Sequence, residues 1–118
     1  MEVPGEFKEI STNEVTLRCR VAGKGPLILL IHGWPESWYS WRHQIKPLVT
    51  AGYKVVVPDV RGYGGSSVPK EVEAYDMRTM INDILGLADH YEQEKCILIG
   101  HDWGAPMVWN TAAMFPDR

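Results

Sequence analysis

The pentapeptide Gly100-His101-Asp102-Trp103-Gly104 follows the apolar run Cys96-Ile97-Leu98-Ile99 and sets a carboxylate midway between two glycines. This is the spacing G-x-nucleophile-x-G, a sharp turn that carries a buried strand into a helix. Glycine is required two positions either side of the nucleophile because a side chain there collides with the tight turn. An unperturbed aspartate, with a pKa of about 3.9, is ionised at neutral pH and needs no base to activate it. Such a carboxylate forms an ester with carbon that bears a leaving group or belongs to a strained ring. That chemistry differs from the acyl transfer of serine and cysteine nucleophiles. The competing role for Asp102 is a helix N-cap. Its two glycines, the apolar strand before it and the small Ala105 after it favour the nucleophile.

His32-Gly33-Trp34-Pro35 closes an earlier apolar run, Leu27 to Ile31. In hydrolases with this elbow, a loop after the earlier strand gives one backbone N–H to an oxyanion hole, and the residue after the nucleophile gives the other. The donors here are the amides of Trp34 and Trp103. Loss of one such donor costs about 2.7–4 kcal/mol of transition-state stabilisation. Gly62-Tyr63-Gly64-Gly65-Ser66-Ser67 is rich in glycine but lacks the lysine and the following helix of a phosphate loop, so it reads as a turn. Asp59 and Arg61 brace that turn rather than react. His43 and His90 fall on exposed helix positions, while Trp38, Trp41 and Trp109 fit either core or pocket wall.

Positioning these groups takes strands alternating with helices. Val15, Leu17, Cys19 and Val21 alternate with polar residues, as in a half-buried strand. Glu6 to Ile10 makes a weaker strand before it, with Ser11-Thr12-Asn13 as the hairpin turn. Leu27 to Ile31, Val55 to Val57 and Cys96 to Ile99 are unbroken apolar runs, the signature of parallel strands covered on both faces. Behind the candidate cap Asp76, the residues Met77, Met80, Ile81, Ile84, Leu85, Ala88 and Tyr91 share one helical face. Trp38, Trp41, Ile45 and Leu48 form a rougher stripe, which Pro47 is expected to kink or split. A last helix spans Trp103 to Phe115, with Pro106 in its first turn and Pro116 as its stop. The pattern predicts a single α/β domain over residues 1–118, antiparallel at the start and parallel thereafter.

The bulk numbers exclude other classes. A formal net charge of -3 offers no basic field for nucleic acid. No apolar run approaches the roughly 18 residues of a spanning helix, and Met1 to Gly5 lacks the layout of a signal peptide. Cys19 and Cys96 lie far apart in strand-like runs, which predicts buried free thiols and a cytoplasmic setting. The histidines stand in no metal-ligand spacing, so neither metal nor cofactor is called for.

Three segments carry a resemblance. His32 to Arg42, Asp59 to Ser67 and Gly100 to Ala105 resemble, in that order, the oxyanion loop, the next loop and the elbow of soluble epoxide hydrolases of the α/β-hydrolase fold. The resemblance implies a cis peptide before Pro35, an epoxide substrate and water as co-substrate. It implies that Asp102 attacks an epoxide carbon while two lid tyrosines protonate the oxygen, and that a histidine paired with an acid hydrolyses the ester. Haloalkane dehalogenases share the Asp nucleophile, but they usually carry Asn or Glu where Trp34 stands. A non-catalytic α/β module is the third alternative. In the family's order the acid, the lid and the histidine follow the elbow, beyond Arg118. The chain therefore reads as the N-terminal part of such an enzyme, able to form the ester on Asp102 and lacking the means to hydrolyse it. The strand Lys95 to Ile99, central in the family, is expected to have one edge bare and apolar.

Overall fold

A computed structural model describes residues 3–118; Met1 and Glu2, the start of the stretch read for a signal peptide, lie outside them. Five strands form one sheet: β1 (Glu6–Thr12), β2 (Val15–Gly23), β3 (Leu27–Ile31), β4 (Lys54–Pro58) and β5 (Ile97–Gly100). Their spatial order is β1-β2-β4-β3-β5. β1 and β2 form an antiparallel hairpin, β2 pairs antiparallel with β4, and β3 runs parallel to both β4 and β5. Antiparallel first and parallel thereafter is the predicted layout. The helices are α1 (Arg42–Thr50), α2 (Met77–His90) and α3 (Gly104–Met114), with short 3₁₀ turns at Trp38–Trp41 and Val72–Tyr75. Among the described residues, no helix is long and apolar enough to cross a membrane.

The sheet separates two cores. On one face Leu17, Leu29, Ile31 and Val56 meet Ile84, Leu87 and Ala88 of α2 and Met107 of α3. On the other, Ile28, Leu30, Val55 and Val57 meet Ile45 of α1, with Trp38 and Trp41 packed at the margin. β3 and most of β4 are buried along their length, as their unbroken apolar runs require. α2 starts where Asp76 accepts a hydrogen bond from the Thr79 amide at 2.8 Å, and its buried face includes Leu87, which the periodic stripe omitted.

Several boundaries differ from the sequence reading, each for a local reason. β1 continues through Ser11 and Thr12, and the hairpin turns on Asn13 and Glu14, both in the left-handed region at φ 50° and 65°. Side-chain bonds from Asn13 to the Thr79 carbonyl and to Asp83 tie this turn to α2. Pro47 neither splits nor ends α1; the break falls earlier, where the 3₁₀ turn passes into α1 at Arg42. Pro47 is exposed there, so only one ladder bond is forgone. Trp109 is 79% exposed and lies outside the core, on the wall of a shallow pocket with Leu98 and Phe115.

β5 meets the expectation of a bare apolar edge and departs from that of a strand covered on both faces. It begins at Ile97, leaves Cys96 half-buried outside the strand, and lies at the edge of the sheet. Ile97 and Ile99 stand beside Ile28 and Leu30 but remain 44% and 37% exposed, so this run is covered on one face only. An unpaired apolar edge is a template for strand addition. The double change Ile97→Lys and Ile99→Lys is expected to lower self-association, read by light scattering after gel filtration. Its stability cost should stay within about 1 kcal/mol, because partly exposed positions tolerate charge.

Candidate active site

The register of β3 against β5 builds the site. Ile31 pairs with Gly100, and the pairing runs one residue further as the His101 amide donates to the Ile31 carbonyl at 3.1 Å. The loop after β3 and the elbow after β5 therefore leave the sheet side by side. They touch without side chains between them. A Cβ on Gly33 would lie 2.3 Å from the Asp102 Cβ, and one on Gly104 would lie 2.2 Å from the Ile31 carbonyl oxygen. A Cβ on Gly100 would strike the Gly104 carbonyl oxygen at 2.3 Å. All three glycines serve close approach rather than unusual dihedrals.

Asp102 itself takes the unusual dihedral. Its φ of 58° is left-handed, a conformation rare for a residue with a Cβ and concentrated at functional sites. α3 starts beyond it without a side-chain cap, and its first amides bond to the main-chain carbonyls of His101 and Asp102. The carboxylate points elsewhere: Oδ2 accepts the Trp34 N–H at 3.0 Å. The Trp34 amide, with the Trp103 amide second, holds the Asp102 carboxyl below the usual carboxylate range. Thus one of the two amides expected to form an oxyanion hole, that of Trp34, sits on Oδ2 of the expected nucleophile, and the other, that of Trp103, also lowers its pKa. The peptide before Pro35 is cis.

His32 is a structural member of the motif. It is 1% exposed; its Nδ1 lies 2.8 Å from the Gly33 carbonyl, and its Nε2 accepts the Val60 N–H at 2.9 Å. Those partners fix the Nδ1–H tautomer, and burial pushes the ring's pKa down, so it stays neutral. Asp59 is fully buried and accepts from the amides of Trp38 and Gly65 and from Arg18. Arg61 pairs with Asp83 through both Nε and the terminal nitrogen, and it also bonds to the carbonyls of Ala74 and Asn13. Both residues brace, as expected. The Gly62–Ser67 loop is likewise a turn, hooked to β2 by the hydroxyls of Ser66 and Ser67.

A cavity of about 310 Å³ reaches Trp34 and Trp103, the neighbours of Asp102, and is walled further by Arg61, Tyr63, Tyr75, Met80 and Met107. The tyrosines in this wall were absent from the expected site. Tyr75 donates to the Pro69 carbonyl at 2.6 Å, whereas the Tyr63 phenol has its pKa raised by burial and by the charge of Asp102. Because Arg61 is engaged by Asp83 and two carbonyls, this wall offers no cation to clamp an anionic substrate. Glu36 was also missed: it accepts the Gly33 amide and stands against His101. Among the described residues, no cluster of three His, Cys, Asp or Glu side chains is placed to hold a metal.

Residues 26–118 match the alpha/beta hydrolase fold family, and the chain belongs to it. Among its relatives are the AB hydrolase superfamily protein YfhM of Bacillus subtilis, 48% identical over 92% of this chain and 38% of its own length. Epoxide hydrolase A of Mycobacterium tuberculosis is 50% identical over 92% of this chain and 34% of its own length. The crystal structure of Epoxide Hydrolase A from Mycobacterium thermoresistibile superposes with a TM-score of 0.94 at 53% identity, covering 96% of this chain and 36% of that one. The likeness to epoxide hydrolases read from the three motifs therefore stands, and the chain spans 34% to 38% of the length of these curated relatives.

Close approach and dihedral freedom separate in mutants. Gly104→Ala, which drives a methyl into the Ile31 carbonyl, is expected to cost about 2–3 kcal/mol, as overpacking does. Gly52→Ala has nothing within 4 Å and only a φ of 98° to resist it, so strain alone should cost about 1 kcal/mol. Urea denaturation of the two variants measures the difference.

Proposed function

We propose that this chain carries the ester-forming half of an epoxide hydrolase, with Asp102 as nucleophile and the amides of Trp34 and Trp103 as oxyanion hole. The observation that carries this reading is the left-handed Asp102 with Oδ2 bound to the Trp34 amide. That arrangement leaves Oδ1 to attack. Oδ1 bonds to the less hindered epoxide carbon, the ring C–O bond breaks, and the alkoxide takes a proton from water to give a hydroxyalkyl ester. Oδ2 then becomes the ester carbonyl oxygen, already in the hole. Water attack at Cγ would place negative charge on Oδ2, where both amides stabilise it. The neutral, aromatic and thioether wall suits an uncharged epoxide with an apolar arm. The epoxide hydrolases among the relatives support an epoxide as the substrate.

Hydrolysis of the ester needs a base. Among the described residues, His32 is buried with both nitrogens engaged, His43 and His90 are exposed on helices, and His101 meets the Glu36 carboxylate only at 3.5 Å through a 69% exposed side chain, too loose a pairing to orient a base. The ester on Asp102 is therefore expected to persist. Free thiols at Cys19 and Cys96 fit a reducing cytoplasm as the setting.

Incubation with an aryl epoxide, followed by intact-mass analysis and peptide mapping, tests the proposal. We expect one adduct per chain on Asp102, stable over the assay and absent from Asp102→Asn. Adducts elsewhere with Asp102 unmodified would overturn it. So would halide release from a chloroalkane by a chain inert toward epoxides.

A further inference from the structure

Glu36 sits three residues past Gly33, on the loop that presents Trp34. Its Oε1 accepts the Gly33 N–H at 2.8 Å, while its own N–H returns to the Gly33 carbonyl at 3.2 Å. The turn Gly33-Trp34-Pro35-Glu36 is thereby closed from both sides, once by main chain and once by a carboxylate. A charged acceptor makes the stronger bond of the two kinds. The same Oε1 lies 3.5 Å from Nδ1 of His101, the residue before Asp102. One carboxylate oxygen thus touches both the loop after β3 and the elbow after β5. Between those touches, the Trp34 N–H crosses to Asp102 Oδ2 at 3.0 Å. Apolar packing cannot do this fastening, because Gly33 has no room for a side chain against the Asp102 Cβ.

We propose that Glu36 is a positioning residue that aims the Trp34 amide at Asp102 by tying the loop after β3 to the elbow after β5. This assignment rests on the reading of Asp102 as nucleophile and of Trp34 as its oxyanion donor. It extends that reading to a side chain that touches no reacting atom. The acceptor matters more than the charge, since the short contact is to the Gly33 amide and the His101 contact is longer and solvent-exposed. Glu36 side-chain exposure is 23%, enough for water to compete once the reach is shortened.

The test is a titration of Asp102 followed through its carboxyl carbon by NMR in the full chain. Glu36→Ala and Glu36→Asp both withdraw the acceptor from Gly33, and in each the Asp102 midpoint is expected to rise toward the ordinary aspartate value. Glu36→Gln keeps an oxygen in reach of Gly33 and should titrate as the parent does. Asp76, held low by Thr79 at the start of α2, provides the internal control and should not move in any variant. A turn brace without a positioning role would change stability and leave Asp102 unmoved in both the Ala and Asp variants, which would overturn the proposal. If Glu36→Ala fails to fold, Glu36→Asp carries the test. The titration needs no chemistry, so the two readings fail separately. A parent chain that forms no ester but shows these shifts refutes the nucleophile, whereas one that esterifies without the shifts refutes Glu36.

Discussion

The hydrogen bond from the Trp34 amide to Asp102 Oδ2 is the contact toward which the structure around the site converges. It joins two loops that are 68 residues apart in sequence, and it exists because β3 and β5 are parallel neighbours whose pairing persists to Ile31 and Gly100. Three glycines remove the side chains that would hold the loops apart. The left-handed turn at Asp102 then lifts its carboxylate toward the loop instead of leaving it at the start of α3. Oδ2 is thereby held by the Trp34 amide.

The loops themselves are held by buried polar groups rather than by apolar packing. His32 joins the carbonyl of Gly33 to the amide of Val60, so the loops after β3 and β4 share one ring. Asp59 gathers two amides and Arg18 around a fully buried carboxylate. Arg61 and Asp83, both nearly buried, link the loop after β4 to α2 and to the hairpin tip at Asn13. Removing one member of such a pair is severe because it leaves the other charged and unpaired in the interior. These bonds cost desolvation and return geometry.

How much was legible follows from the kind of force at each position. The elbow was readable because steric demand leaves its mark in residue type: Gly100 and Gly104 are glycine for want of space, and the apolar run before them records a strand. The alternation of strands with helices and the Asp76 cap were readable for similar reasons of periodicity and short-range bonding. Glu36 was not, because its main partner is a backbone N–H, which every residue but proline carries and no sequence pattern marks. The turn at Asn13 and Glu14 was displaced by two residues because tertiary bonds from Asn13 to α2 support a left-handed Glu14 that local preference disfavours. The exposure of β5 was half-legible. Its composition is that of a covered strand, while its bare edge was expected only through the family resemblance, because composition does not report sheet order.

The central claim, that the Trp34 and Trp103 amides share the charge of Asp102, is tested most directly by following both amide resonances through an acid titration. The account predicts that the two amide shifts move together, with one midpoint below the ordinary aspartate value of about 3.9, as Asp102 takes up its proton. Amide shifts that stay flat through that range, or that follow two different midpoints, would contradict it.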